Sequence, residues 1–329
     1  EKIVAPKITP IATHRDKQSD FLTELQNDKV EPIEPVFVDF NKDMSVFTLP
    51  QGPQVLYKHN DLNDIFQLSF NYNVGVEEIP SINIACDYIS YLGTPTRSAV
   101  EIAKRMYELG CDFSFRAGAN FTTVTVSGLS ENMTEAVGIV EDLILNACPD
   151  EKILSGLKAD VFKSRANAKT NQRSCYSALT RYVNYGPEFI KRTALDNESV
   201  LALGSEELLQ GVRDLFAKGH EIQYYGPESL SKLTEALPSF HKITEGAEAL
   251  PEVFTPKLAV SEPSVVMAQY DAKQIYYYQY SNRGETFDPS VSPSLAMYNG
   301  YFGEGFQKPF SVALASVFGF NIQVFEVQP

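Results

Sequence analysis

The feature that most constrains this chain is a stretch of strict alternation followed almost at once by helical spacing. Leu68-Ser69-Phe70-Asn71-Tyr72-Asn73-Val74 places an apolar side chain at every second position, so a strand here buries one face and wets the other. Just beyond it, residues 82–92 set Ile82, Cys86, Ile89 and Tyr91/Leu92 near one face of a helix. A strand face and a helix stripe generated side by side must cover each other, which demands a layer of helices on a sheet.

The rest of the chain repeats the mixture. Strands are predicted at 44–49, 54–59 and 66–74, the first two joined by the turn cluster Pro50-Gln51-Gly52-Pro53. A helix over 98–109 stops at Gly110, and a hairpin pairs 113–116 with 121–128 around Ala117-Gly118-Ala119-Asn120. Helices are expected from Ser130 onward and over 150–168, 174–184 and 205–218. The last of these opens on Ser205-Glu206-Glu207-Leu208 in the manner of a capped helix. A strand over 220–225 ends at Gly226-Pro227, and a helix over 229–236 follows. Further strands at 264–270 and 274–280, the latter carrying Tyr276-Tyr277-Tyr278, lead to a helix near 291–301. Partial segregation of strands from helices predicts an α+β sandwich, a mixed sheet with helices on one face. Four segments are expected: a Pro-rich linker over 1–36 with one short helix near 20–26, an α+β domain over 37–240, a linker over 241–263, and the start of a second, homologous unit over 264–329. The opening Glu1-Lys2-Ile3-Val4-Ala5-Pro6 reads as mid-chain, and the second unit is too short to be complete, so a longer parent is expected.

Charge and composition exclude several functions. Asp and Glu number 42 against 28 Lys and Arg, for a net charge of −14. An acidic surface repels phosphate, which disfavours nucleic acid and anionic membranes as partners. No apolar run approaches the roughly 18–20 residues of a membrane span. Cys86, Cys111, Cys148 and Cys175 form no C-x-x-C, so a zinc ribbon or redox motif is not expected, and the first three read as small buried apolar groups. His14, His59, His220 and His241 make no i,i+4 pair and read as separate surface residues. Lys163, Arg165, Lys169 and Arg173 fit a solvated helix face. Neither a Gly-rich phosphate loop nor Gly-x-Ser-x-Gly is present.

The segment 71–94, NYNVGVEEIPSINIACDYISYLGT, resembles the signature region of the pitrilysin/insulinase family of zinc metallopeptidases: a strand, Gly75, acidic residues, a helix and a closing Leu-Gly-Thr. Tyr107-Glu108-Leu109-Gly110-Cys111-Asp112, Tyr185-Gly186-Pro187 and Tyr224-Tyr225-Gly226-Pro227 extend the likeness, which spans roughly 37–322. The family binds zinc through His-x-x-Glu-His on this helix, with the glutamate acting as general base on zinc-bound water. Anchored on Gly93-Thr94, the resemblance puts the first histidine position at Ile84, the glutamate at Asp87 and the second histidine at Tyr88. A third ligand, a glutamate, is implied within 158–165, where only Asp160 is acidic. Ile84 cannot coordinate a metal and Tyr88 is a poor substitute for imidazole, so no cofactor is expected in this chain.

Members of the family often have two homologous halves, of which the second lacks zinc and closes a chamber over the peptide. In that half a late Arg and Tyr follow a Phe-Gly-Gly-Gly-like turn. Here the turn reads Phe302-Gly303-Glu304-Gly305, with Gly303 and Gly305 able to admit a peptide backbone, and the Arg and Tyr positions fall on Ala315 and Ile322. The resemblance therefore implies a bacterial, inactive half, periplasmic or cytoplasmic, that binds peptide beside a zinc-bearing partner half. The alternative it leaves open is a structural scaffold subunit of the same fold family with no peptide role.

Overall fold

The computed structural model describes residues 18–50, 52–242, 247, 250–272, 274–278, 280, 282, 284, 288–299 and 321–325. The chain divides into two compact units, Glu1–Asp43 and Met44–Pro329. The first holds α1 (Asp20–Asn27) and the single turn α2 (Phe40–Asp43). The Ser19 side chain caps α1 by accepting a hydrogen bond from the Leu22 N–H, a preference set by the orphan donors of a first turn.

The second unit is built on six strands: β1 (Ser45–Thr48), β2 (Gln54–His59), β3 (Ile65–Tyr72), β4 (Cys111–Ala117), β5 (Thr122–Leu129) and β6 (Glu221–Gly226). They lie in the order β1-β2-β6-β3-β5-β4, and every pairing is antiparallel except β2 with β6. The alternation in β3 decides which face is which. Phe66, Leu68, Phe70 and Tyr72 are buried, and the register sets Ile222 and Val124 beside Phe70 and sets Tyr224 and Val126 beside Leu68. One face is thus a continuous apolar surface. The opposite face runs Gln223–Ser69–Thr125–Ser114 across four strands, with the Ser69 and Thr125 hydroxyls hydrogen-bonded at 3.0 Å.

Helices cover the apolar face. They are α3 (Ile82–Ile89), α4 (Ala99–Glu108), α5 (Met133–Asn146) and α9 (Ser205–Phe216), with α10 (Leu230–Phe240) against α5. Outside them lie α6 (Glu151–Lys169), α7 (Gln172–Thr193) and the short α8 (Asn197–Ala202). Val137 and Val140 of α5 and Leu208, Leu209, Val212 and Leu215 of α9 are buried in this layer. The expected α+β sandwich, helices on one face of a mixed sheet, is the observed architecture. A two-stranded parallel sheet of β7 (Gln274–Tyr278) and β8 (Asn321–Phe325), with α11 (Ser292–Asn299), completes the described elements. No described helix is long and apolar enough to cross a membrane.

Several local expectations give way to packing. Helix α7 does not stop at 184. It continues across Gly186, whose φ of 79° breaks the helical path, and restarts at Pro187, whose ring is compatible with a first turn. Ser205 is not a cap: Gly204 occupies that position, and the Ser205 side chain bonds instead to Glu151. Residues 264–270 carry no strand. Cys148 is exposed, because it follows the last buried turn of α5, whereas Cys86 and Cys111 are buried. His220 and His241 are buried rather than on the surface, and they touch each other.

Candidate functional site

The region carrying the family likeness is assembled by close backbone approaches. The N–H groups of Val76 and Glu77 donate to the carbonyls of Gly118 and Ala119 at 3.0 and 2.9 Å, which ties the loop before α3 to the tip of the β4–β5 hairpin. A Cβ on Gly75 would lie 2.4 Å from the Ala119 carbonyl oxygen, so only glycine fits. The glycine of Leu-Gly-Thr is equally constrained, since a Cβ on Gly93 would meet the Arg97 carbonyl oxygen at 2.6 Å. Its own carbonyl accepts from Cys148 N–H at 2.8 Å, which docks the end of α5. These glycines serve the chain path around α3 and do not depend on a metal.

Ile84, Asp87 and Tyr88 sit on α3, as the spacing requires, and the structure assigns them different environments. Ile84 is 5% exposed, packed in the core beside Ile82, Ala85 and Ile89. Tyr88 is fully buried. Its hydroxyl accepts from the Asp150 N–H at 2.7 Å and donates to the Asp150 carbonyl at 3.1 Å. Burial pushes its phenol above the usual value, so it is a neutral donor and acceptor. Asp150 is the N-cap of α6, accepting from the N–H groups of Lys152 and Ile153, so the phenol pins α3 to the first turn of α6. Asp87 faces outward, and desolvation by its surroundings raises its carboxyl.

Helix α6 offers no third ligand. Asp160 is exposed, and its neighbours in the window are cations turned to another task. Lys158 Nζ donates to the carbonyls of Leu203 and Leu201 at 2.6 and 2.9 Å, and Arg165 donates to Asn197 Oδ1 and the Leu195 carbonyl at 2.6 and 2.8 Å. Both clamp the ends of α8. Arg165 is thus a structural tie and not the free surface charge that its spacing suggests. An isoleucine, a phenol held by a backbone and an outward carboxylate do not fit a zinc ion. Among the described residues, no three His, Cys, Asp or Glu side chains gather as a metal site. The nearby Cys86 thiol, pushed up to about 12 by burial, is not a nucleophile at neutral pH.

Gly303, Gly305 and Ala315 lie outside the described residues. Ile322 lies in β8, paired with Ile275 of β7. Sequence reasoning missed the contact between His220 and His241, because one flanks a strand and the other ends a helix. No spacing rule links those positions.

No family model matches the sequence, and no curated protein matches it. Solved structures do match its fold. The peptidase M16 inactive domain from Pseudomonas fluorescens is 15% identical, with a TM-score of 0.57 over 72% of this chain and 56% of that one. The periplasmic protease PqqL from Escherichia coli is 14% identical, with a TM-score of 0.57 over 76% of this chain and 31% of that one. A single-site variant of the ferredoxin protease FusC, in complex with Arabidopsis ferredoxin, is 11% identical, with a TM-score of 0.57 over 78% of this chain and 28% of that one. The chain spans about half the length of the first of these and under a third of the other two. Its fold is that of M16 peptidase domains, among them an inactive one.

Proposed function

We propose that this chain is the non-catalytic half of a bacterial zinc metallopeptidase of the pitrilysin/insulinase kind. In this reading it helps to enclose and bind the peptide, and a separate zinc-bearing half performs the hydrolysis. The observation that carries the reading is the fate of the second histidine position: Tyr88 is spent on holding α3 to α6. Restoring a ligand there would remove a structural tie, which is the mark of a helix committed to packing. No chemical step is assigned to this chain.

Peptide capture has a candidate surface. Strand β4 is one of the two outer strands of the six-stranded sheet and, among the described residues, pairs on one side only, with β5. The other side of its backbone can pair with an extended peptide through main-chain hydrogen bonds, which give affinity with little side-chain selectivity. The exposed residues Asp112, Ser114 and Arg116 flank that edge.

The test is reconstitution. The parent gene's zinc-bearing half is produced alone and with this chain, and cleavage of unstructured peptides is followed. Activity that needs both pieces, together with their co-purification, supports the accessory role. A zinc-bearing half that is fully active alone and never associates with this chain would replace it with the scaffold reading.

A further inference from the structure

A buried polar cluster lies away from α3. His220 immediately precedes β6, and His241 is the C-cap of α10. Both are buried, at 3% and 4% exposure. Their Nε2 atoms are 2.8 Å apart, His241 Nδ1 is 2.5 Å from Glu141 Oε1 on α5, and His220 Nδ1 is 3.1 Å from the Lys218 carbonyl. Aromatic rings wall the cluster: Phe70 stacks on His241 at 4.0 Å and Tyr72 lies 4.7 Å from His220.

Proton counting fixes how this chain works. The Lys218 carbonyl can only accept, so His220 Nδ1 carries a hydrogen, and in a neutral ring Nε2 is then a lone pair. That lone pair accepts the Nε2–H of His241. Between His241 Nδ1 and Glu141 a single further proton makes the short bond. A proton added at His220 Nε2 would set N–H against N–H.

We propose that Glu141, His241 and His220 form an acid-sensitive latch that pins the C-terminal end of α10 to α5 and to the start of β6, and that proton uptake at His220 releases it. The last turn of α10 is the part set free. It is not sealed over: a surface cavity of about 720 Å³ is lined by Glu141, Asp142, Asn146, Pro238, His241 and Lys242.

The charges around the latch agree with its direction. On α5, Glu141 bonds His241 and Asp142 is held by Asn146 Nδ2 at 2.8 Å. Lys242 follows His241, and Lys218 and Glu221 lie close to His220 along the chain. On β3, burial and Glu141 together raise the Tyr72 phenol, which stays neutral and supplies no countercharge. Burial first, and then His241, push His220 down to about 4. A lowered histidine contributes stability that is complete above its ordinary value near 6.5 and is lost as pH falls from there toward 4, because the open state takes up a proton that the closed state refuses.

The experiment is hydrogen exchange on the intact chain at pH 6.5 and 4.5, corrected for intrinsic rates and read at the last turn of α10, with histidine NMR titration alongside. Protection there should fall on the order of fifty-fold between the two pH values, and His220 should stay neutral until near its lowered midpoint. In His220→Gln the side-chain carbonyl still accepts from His241 but cannot titrate, so the fall should disappear. The latch is overturned if His220 titrates near 6.5 while protection is unchanged, or if His220→Gln shows the same fall as the native chain. Should His220→Gln not fold, the native protein's titration and exchange decide alone.

Discussion

Tyr88 has a structural task that the sequence does not announce. From the sequence it is a failed ligand. In the structure its hydroxyl makes two hydrogen bonds to one backbone residue, Asp150, across two helices. Tyr88→Phe leaves that buried N–H and carbonyl short of their partner and should cost about 1–3 kcal/mol, measured as a shift of the denaturant midpoint at unchanged slope. Zinc content gives the companion test. The purified chain should hold far less than stoichiometric zinc, and metal analysis showing a full equivalent bound on α3 would refute the degenerate-site reading. What is expected of Ile84 and Asp87 follows from residue chemistry alone, which rules out coordination at the first and shortens the carboxylate at the second. The task of Tyr88 was not legible, because its partner is a backbone group far along the chain. His220 and His241 were illegible for the same reason: burial and pairing arise only when α10 folds back on α5.

At the scale of elements, local chemistry predicted most helix starts and failed at junctions. Helix α4 opens on a full capping box, in which Ser98 accepts from Glu101 N–H and the Glu101 carboxylate accepts from Ser98 N–H at 2.8 Å. Ser98→Ala should cost about 1 kcal/mol, seen as a lower thermal midpoint. These hydrogen bonds also hold the Glu101 carboxyl below its ordinary value, so its contribution is present above that value and is lost as acid protonates it. Strand β2 was legible to its bounds because a turn cluster precedes it and its own alternation is clear. Helix α7 was not, since glycine and proline together read as a stop. Instead Gly186 takes φ 79° and the helix resumes, with Leu258 packed where a Cβ would sit, at 3.1 Å. Gly186→Ala should therefore destabilise the chain by roughly 1 kcal/mol or more. Urea denaturation would report it, and an unchanged midpoint would mean that the kink is not needed.

For the molecule as a whole, the fold class followed from interleaved periodicities, whereas sheet order did not. Nothing local says that β6, a strand far along the chain, inserts between β2 and β3. That insertion governs when the protein can become itself during synthesis. The hairpin of β1 and β2 is made early but joins the sheet only through β6. Until Gly226 has left the ribosome, the hairpin has no neighbour to hold it, and β3 waits with one open side beside a finished β5. Nascent chains halted after residue 220 should show amide protection in β3, β5 and β4 but none in β1 and β2. They should also be captured by chaperones that bind unpaired strands, because an open edge recruits whatever strand is available. Released chains extended through α10 should lose both properties together, so the step that completes the sheet is also the step that ends its period of greatest risk.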